Sequence, residues 1–157
     1  MNKYIIDSNS LIYLGKFFPS RFPSLWKHIE ELTKNGRLFS VRECRQEIDS
    51  YGENDHIKQW AKAHSEIFLP ASSAETQCVG QIFAVKHFGQ LISENAILKG
   101  KPVADPFLIA AAKVNNSVLI TEELWKENAA KIPNICKHFG IPHIKLEEFM
   151  AAENLSF

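Results

Sequence analysis

The chain has 157 residues, 45% hydrophobic and 23% charged, which suits one soluble domain with a full core and excludes a disordered or low-complexity chain. Its 18 basic and 18 acidic residues cancel, which excludes a polyanion binder held by bulk charge but leaves room for a local basic patch. Cys44, Cys78 and Cys136 have no paired spacing, Asp7 interrupts the first apolar run, and no stretch approaches the roughly 18 apolar residues of a membrane span; a reduced, cytoplasmic protein with no membrane association is expected.

Tyr4-Ile5-Ile6 is a short continuous apolar run, as expected of a strand covered on both faces. It ends in Asp7-Ser8-Asn9-Ser10, before a helix beginning Leu11-Ile12-Tyr13-Leu14. A carboxylate just past a buried strand and before a helix is where open α/β sheets place ligands, although capping that helix is its ordinary alternative use. Phe22 to Asn35 has apolar residues at helical spacing and a stop at Asn35-Gly36. Arg37-Leu38-Phe39 reads as a weak strand, and Ser40-Val41-Arg42-Glu43 has capping-box form, opening a third helix. Glu43 and Glu47 share a face of that helix; Glu43 is accounted for by the box, whereas Glu47 has no structural task in sight and is the better functional candidate.

The middle of the chain reads as helical. A polar turn over Tyr51 to Asp55 precedes a helix running to about His64, then an extended Ile67-Phe68-Leu69. Ser72-Ser73-Ala74-Glu75 is a second capping box, whose helix runs toward Gly89, and Leu91 to Lys99 reads as a further short helix closed by Gly100. Asp105-Pro106 then has the form of a helix start, with Asp105 as the cap and a small apolar helix following. Asn115-Asn116 marks a turn before the strand Ser117-Val118-Leu119-Ile120, which ends in Thr121-Glu122-Glu123. A short helix over Pro133 to His138, a last strand around Ile144 and a helix from Leu146 complete the chain. The order of elements implies right-handed crossovers and a parallel sheet.

Four acids stand out by context: Asp7, Glu47, Asp105 and Glu123. Strand C-termini and helix N-termini lie on one side of a parallel sheet, so these carboxylates can converge. Gathered carboxylates repel, and an oxygen-only set favours Mg²⁺ or Mn²⁺ over zinc. A cation so held can bind a phosphodiester oxygen and activate water. Ser8, Asn9 and Thr121 are the polar neighbours able to orient carboxylates or water.

The arrangement resembles the PIN domain, a metal-dependent nuclease fold. The residues that carry the resemblance are Tyr4-Ile5-Ile6-Asp7-Ser8-Asn9, Glu47-Ile48, Ala104 to Ala112, and Val118-Leu119-Ile120-Thr121-Glu122-Glu123. Their order and approximate spacing are similar to those of VapC-like toxins of bacterial toxin–antitoxin pairs, and most similar to a longer PIN-like subgroup with a tryptophan in its second helix and a late Ile-Pro-x-x-Cys segment, here Ile132 to Cys136. The resemblance spans nearly the whole chain. It implies one PIN-like α/β domain over residues 1–157, with a parallel sheet of about four to five short strands and helices on both faces. It also implies an endoribonuclease in which Asp7, Glu47, Asp105 and Glu123 surround Mg²⁺ or Mn²⁺. The partners it implies are an RNA substrate and a small antitoxin; a second copy of the chain is the remaining partner expected. Glu123 stands where many relatives carry Asp, and Glu122 is its adjacent rival. Arg42, Arg45, Lys101 and Lys113 lie near the acids in sequence and are the candidates for RNA contact.

Other chemistries fare less well. Cys136, His138 and His143 lack a fourth ligand and a zinc-site spacing. A phosphatase with an Asp nucleophile would want a second Asp where Asn9 stands. The main alternative is a PIN-like scaffold that binds RNA or a protein without cutting.

Overall fold

The computed structural model describes residues 1–51, 55–89 and 103–157. The chain folds as β1 (Tyr4–Ile6), α1 (Ser8–Leu14), α2 (Pro23–Lys34), β2 (Leu38–Val41), α3 (Arg42–Ser50), α4 (Asp55–Ala63), a 3-10 turn (Ser65–Ile67) and β3 (Phe68–Leu69). It continues through α5 (Ser73–Ala84), α6 (Asp105–Val114), β4 (Val118–Ile120), α7 (Ile132–Phe139), β5 (His143–Ile144) and α8 (Leu146–Ala152). The strands form one parallel five-stranded sheet in the order β3-β2-β1-β4-β5. Right-handed crossovers place α1 to α4 on one face and α5 to α7 on the other. The helix contacts agree, with α1 on α3 and α3 on α4, and with α5 on α6 and α6 on α7.

The continuous apolar strands are explained by this burial from both sides: Ile5, Ile6, Leu119 and Ile120 are inaccessible to solvent. In α6 the run from Leu108 to Ala112 is buried throughout, and its alanines let the helix approach the sheet closely. Asn35 ends α2 and Gly36 takes the left-handed conformation (φ 68) that the sharp reversal into β2 requires. The capping box at α5 forms as expected, with the Ser72 hydroxyl accepting from Glu75 N–H and the Glu75 carboxylate accepting from Ser72 N–H.

Several boundaries differ from the sequence expectation. β2 runs on to Val41, so Ser40 is a strand residue and not a cap; its hydroxyl donates to the Ile6 carbonyl at 2.7 Å. The box expected at Ser40–Glu43 is therefore absent, and α3 begins at Arg42 with no side-chain cap. At α6 the cap position falls on Ala104, whose backbone is already helical and whose side chain makes no cap bond; Asp105 is the first residue of the helix and does not occupy the cap position. Ile67 belongs to the 3-10 turn, which shortens β3 to two residues, and α5 stops at Ala84 rather than running unbroken to Gly89. The expected helix over Leu91 to Lys99, its Gly100 stop and most of the Tyr51–Asp55 turn lie outside the described residues. Among the described residues no helix is long and apolar enough to cross a membrane.

At the end of the sheet where the strands begin, Glu153 ties the end of α8 to β1, β2 and α2. Its carboxylate accepts from the Tyr4 hydroxyl at 2.8 Å, from Arg37 at 2.6 Å and from the His28 ring at 3.1 Å. Burial alone would raise this carboxyl, but the hydrogen bonds from Tyr4, His28 and Arg37, with the charge of Arg37, outweigh it and hold Glu153 below its ordinary range. Replacing Glu153 by Gln is expected to cost about 2 kcal/mol at pH 7, since it weakens charge-assisted bonds at a half-buried ion pair. A depressed folded pKa contributes stability above the unfolded value, so the difference from wild type should be full above about pH 5 and shrink as pH falls through the acid range. Urea unfolding at neutral and acid pH checks this; an unchanged midpoint at pH 7 would show the cluster to be energetically idle.

Candidate functional site

The sheet changes direction at β1: the chain first builds outward through β2 and β3, then returns to add β4 and β5 on the other side. The crevice beyond the carboxyl ends of β1 and β4 is thus a topological switch point, where open α/β sheets bind ligands. Ile6 pairs with Ile120, so Asp7 and Thr121 emerge side by side as the first residues past the sheet.

Asp7 is 3% exposed and caps α1, accepting from Ser10 N–H at 2.7 Å. Burial pushes its carboxyl up to about 6; bonds from Ser10 and the Thr121 hydroxyl oppose the rise, and the charge of Glu123 adds to it. Thr121, also buried, accepts from Glu123 N–H at 3.1 Å, so a single hydroxyl links Asp7 to the backbone of Glu123. On the other side of Asp7, the buried Ser8 hydroxyl donates to Glu47 on the second turn of α3 at 2.6 Å. Ser40, bonded to the Ile6 carbonyl, fixes the end of β2 against the end of β1 just beneath.

Two buried thiols report on all four acids. Cys44, one turn before Glu47, is pushed well above its ordinary value by burial and further by the charges of Glu47, Asp7 and Asp105. Cys136 of α7 is pushed up to about 12 by burial and by Asp105 and Glu123. Asp7, Glu47 and Asp105 therefore lie within electrostatic reach of Cys44, and Asp105 and Glu123 within reach of Cys136. The same shifts keep both thiols protonated, so neither is a ready nucleophile, and among the described residues Cys136 belongs to no group of three or more candidate metal ligands.

The acids are not already assembled as a closed ligand shell: among the described residues no three Asp, Glu, His or Cys side chains form a group able to hold a metal. Their carboxylates are engaged with protein donors. Asp7 spends an oxygen on Ser10 N–H, Glu47 on Ser8, and Glu123 on Ile132 N–H at the start of α7, at 3.0 Å. The donor set, being all carboxylate oxygen, fits Mg²⁺ or Mn²⁺ in kind.

The other expected residues separate clearly. Glu122 turns away from Asp7 and accepts from Leu146 N–H at 2.7 Å, capping α8. Asn9 is exposed, and no side-chain bond ties it to the acids. Arg42 is exposed at the start of α3, on the crevice side, whereas Arg45 is tied to Asp49 and the Ala61 carbonyl. Lys113 stands eight residues along α6 from Asp105, roughly 12 Å away, with its ammonium over the Phe139 ring at 5.0 Å. It belongs to the far end of the sheet and is a poor RNA contact for this site. Lys101 lies outside the described residues. Glu43, which the sequence assigns to a cap, is instead buried, with Arg42 at 3.4 Å and its Oε2 without a partner. Cys44 was missed as a neighbour of the site; its place one helical turn before Glu47 was the available signal.

The profile of a family described as a domain of unknown function, DUF4411, matches residues 4–157. No curated protein matches the sequence significantly. Among solved structures, PAE2754 from Pyrobaculum aerophilum is similar, with a TM-score of 0.52 at 14% identity over 96% of this chain and 94% of that one. VapBC2 from Rickettsia felis, solved bound to a DNA fragment from their promoter, aligns with a TM-score of 0.49 at 14% identity, over 90% of this chain and 97% of that one. At such identities the likeness is one of fold, and the parallel five-stranded sheet with its flanking helices is the PIN-like architecture that the sequence implied.

Proposed function

Given that this chain belongs to the DUF4411 family and has a PIN-like fold, we propose that it is a metal-dependent endoribonuclease whose acids are Asp7, Glu47, Asp105 and Glu123. The observation that carries the reading is Asp7 at the carboxyl edge of the sheet, buried with its carboxyl raised to about 6, joined through Thr121 to Glu123 and followed by Ser8, which bonds Glu47. A fold that needed Asp7 only as a cap would have no reason to bury it beside other acids. When bound, a divalent cation would supply charge to polarise the phosphodiester and activate water. The chain's own part is orientation. Ser8 holds Glu47, Thr121 holds Asp7 and the Glu123 backbone, and Asp105 projects from the first turn of α6, a helix end that tolerates a negative charge and favours an anionic phosphate. A role as the toxin of a toxin–antitoxin pair, with a small antitoxin as partner, is supported by the resemblance of its acidic motifs, in order and spacing, to those of VapC-like chains.

A scaffold that binds without cutting is the second reading. It is favoured by the capping duty of Glu123 on α7. Cleavage of single-stranded RNA in Mn²⁺, in Mg²⁺ and in EDTA, with Asp105→Asn beside wild type, separates the two. Cutting that needs the cation and falls at least about a hundredfold in the variant is expected, a loss at the top of what mere outer-sphere partners cost. The amide of the variant keeps an acceptor oxygen, so melting temperature measured beside activity separates a lost helix contact from lost cutting. No cutting, or equal cutting by the variant, would leave the scaffold.

A further inference from the structure

The loop between β4 and α7 presents Trp125 to solvent, two residues beyond Glu123. Trp125 is 53% exposed, whereas Trp26 and Trp60, the other tryptophans of the chain, are 6% and 7% exposed. A large aromatic left outside the core is the informative exception. The loop holds it there: the Asn134 side chain donates to the Lys126 carbonyl at 2.6 Å and accepts from Lys126 N–H at 3.4 Å, bracing the loop against α7. Lys137 sets its ammonium 5.3 Å over the Trp125 ring, and Lys126 and Lys131 are exposed on the same loop, which also carries Glu122, Glu123 and Glu127. Two residues of chain span at most about 7 Å, so the backbone of Trp125 stands within that distance of the backbone of Glu123.

We propose that Trp125 and Lys137 form a subsite for one nucleotide of a single-stranded nucleic acid, the ring stacking on a base and the ammonium facing its phosphate. An exposed indole with flanking lysines is the combination that grips single strands without reading sequence. The subsite rests on the nuclease reading for its substrate, and gives a chain of zero net charge a local means of holding it.

The chain's own tryptophans supply the readout. A short single-stranded oligouridylate, titrated into the protein in EDTA so that divalent-dependent cutting is suppressed, should quench the solvent-exposed part of the indole emission. In Trp125→Phe the quench should vanish, because the two remaining indoles are buried, while affinity by anisotropy of the labelled RNA stays within about threefold. Trp125→Ala should weaken binding by about tenfold, the scale of one stacked base. Lys137→Gln should flatten the dependence of log affinity on log salt by about 0.7. RNA that binds or is cut while Trp125→Ala matches wild type in affinity would overturn the subsite and leave the nuclease reading standing. No RNA binding or cutting by wild type would remove both. An acidic oligoglutamate that quenches Trp125 as strongly as RNA would assign the surface to a protein partner instead.

Discussion

Asp7→Asn is expected to melt higher than wild type in metal-free buffer at pH 7.5. The substitution keeps an acceptor for Ser10 N–H, so the cap of α1 survives. What it removes is a buried charge that faces Glu123 and whose carboxyl is raised from 3.8 to about 6. Keeping Asp7 ionised in the folded protein well above pH 6 therefore costs up to roughly 3 kcal/mol, the free energy that separates those two values. Some of this returns in burying the amide, so a gain of about 1–2 kcal/mol, or about 3–6 °C for a domain of this size, is the expected result. The pH dependence has a definite sign. Between the unfolded value near 4 and the folded value near 6 the native state binds more protons, so wild type loses this stability as pH rises through that window. The variant should match wild type near pH 4 and exceed it above pH 6. Added Mn²⁺ should raise the melting temperature of wild type and leave the variant unmoved. A variant that melts lower at pH 7.5 would make Asp7 a structural cap and nothing more.

Side-by-side assay of Glu123→Gln and Glu122→Gln should split the adjacent acids cleanly. Both substitutions keep a carbonyl for the helix end they cap, α7 through Ile132 N–H and α8 through Leu146 N–H. Only Glu123 acts on the Asp7 and Cys136 groups. Glu123→Gln is expected to lower divalent-dependent cleavage by at least about a hundredfold with the fold intact, and Glu122→Gln to change it by no more than about threefold. The reverse ranking, read from initial rates at saturating Mn²⁺, would move the fourth acid to position 122 and sink the crevice as drawn.

What was legible in the sequence, and what was not, divides by the range of the interaction. β1 and β4 could be read because burial on both faces writes itself into uninterrupted apolar runs, and the acids that follow them inherit their place from the strands. The box at Ser40 failed because its hydroxyl is committed across the sheet to Ile6, a contact that local spacing cannot express. Asp105 was misassigned as a cap because capping needs an extended backbone, and the helical φ and ψ of Ala104 start the helix a residue early. Glu122 and Glu123 are indistinguishable locally; only the helices that later pack beside them pull the two carboxylates apart. Trp125 carried no periodic signal at all, since a loop residue has no face to betray it.

The strand order also sets a timetable. Ile6 pairs with Ile120, so the crevice needs strands that lie far apart in sequence. The β2 and β3 side of the sheet can assemble from the first half of the chain, but β1 keeps an open edge until β4 arrives. Pairings this distant in sequence form late, after the entropy of closing a long loop has been met. A chain still emerging from the ribosome therefore carries Asp7 and Glu47 without Asp105 or Glu123. If the four acids act together, competence comes only with the last third of the polypeptide, and the ribosome is never bound to a half-made nuclease that can cut.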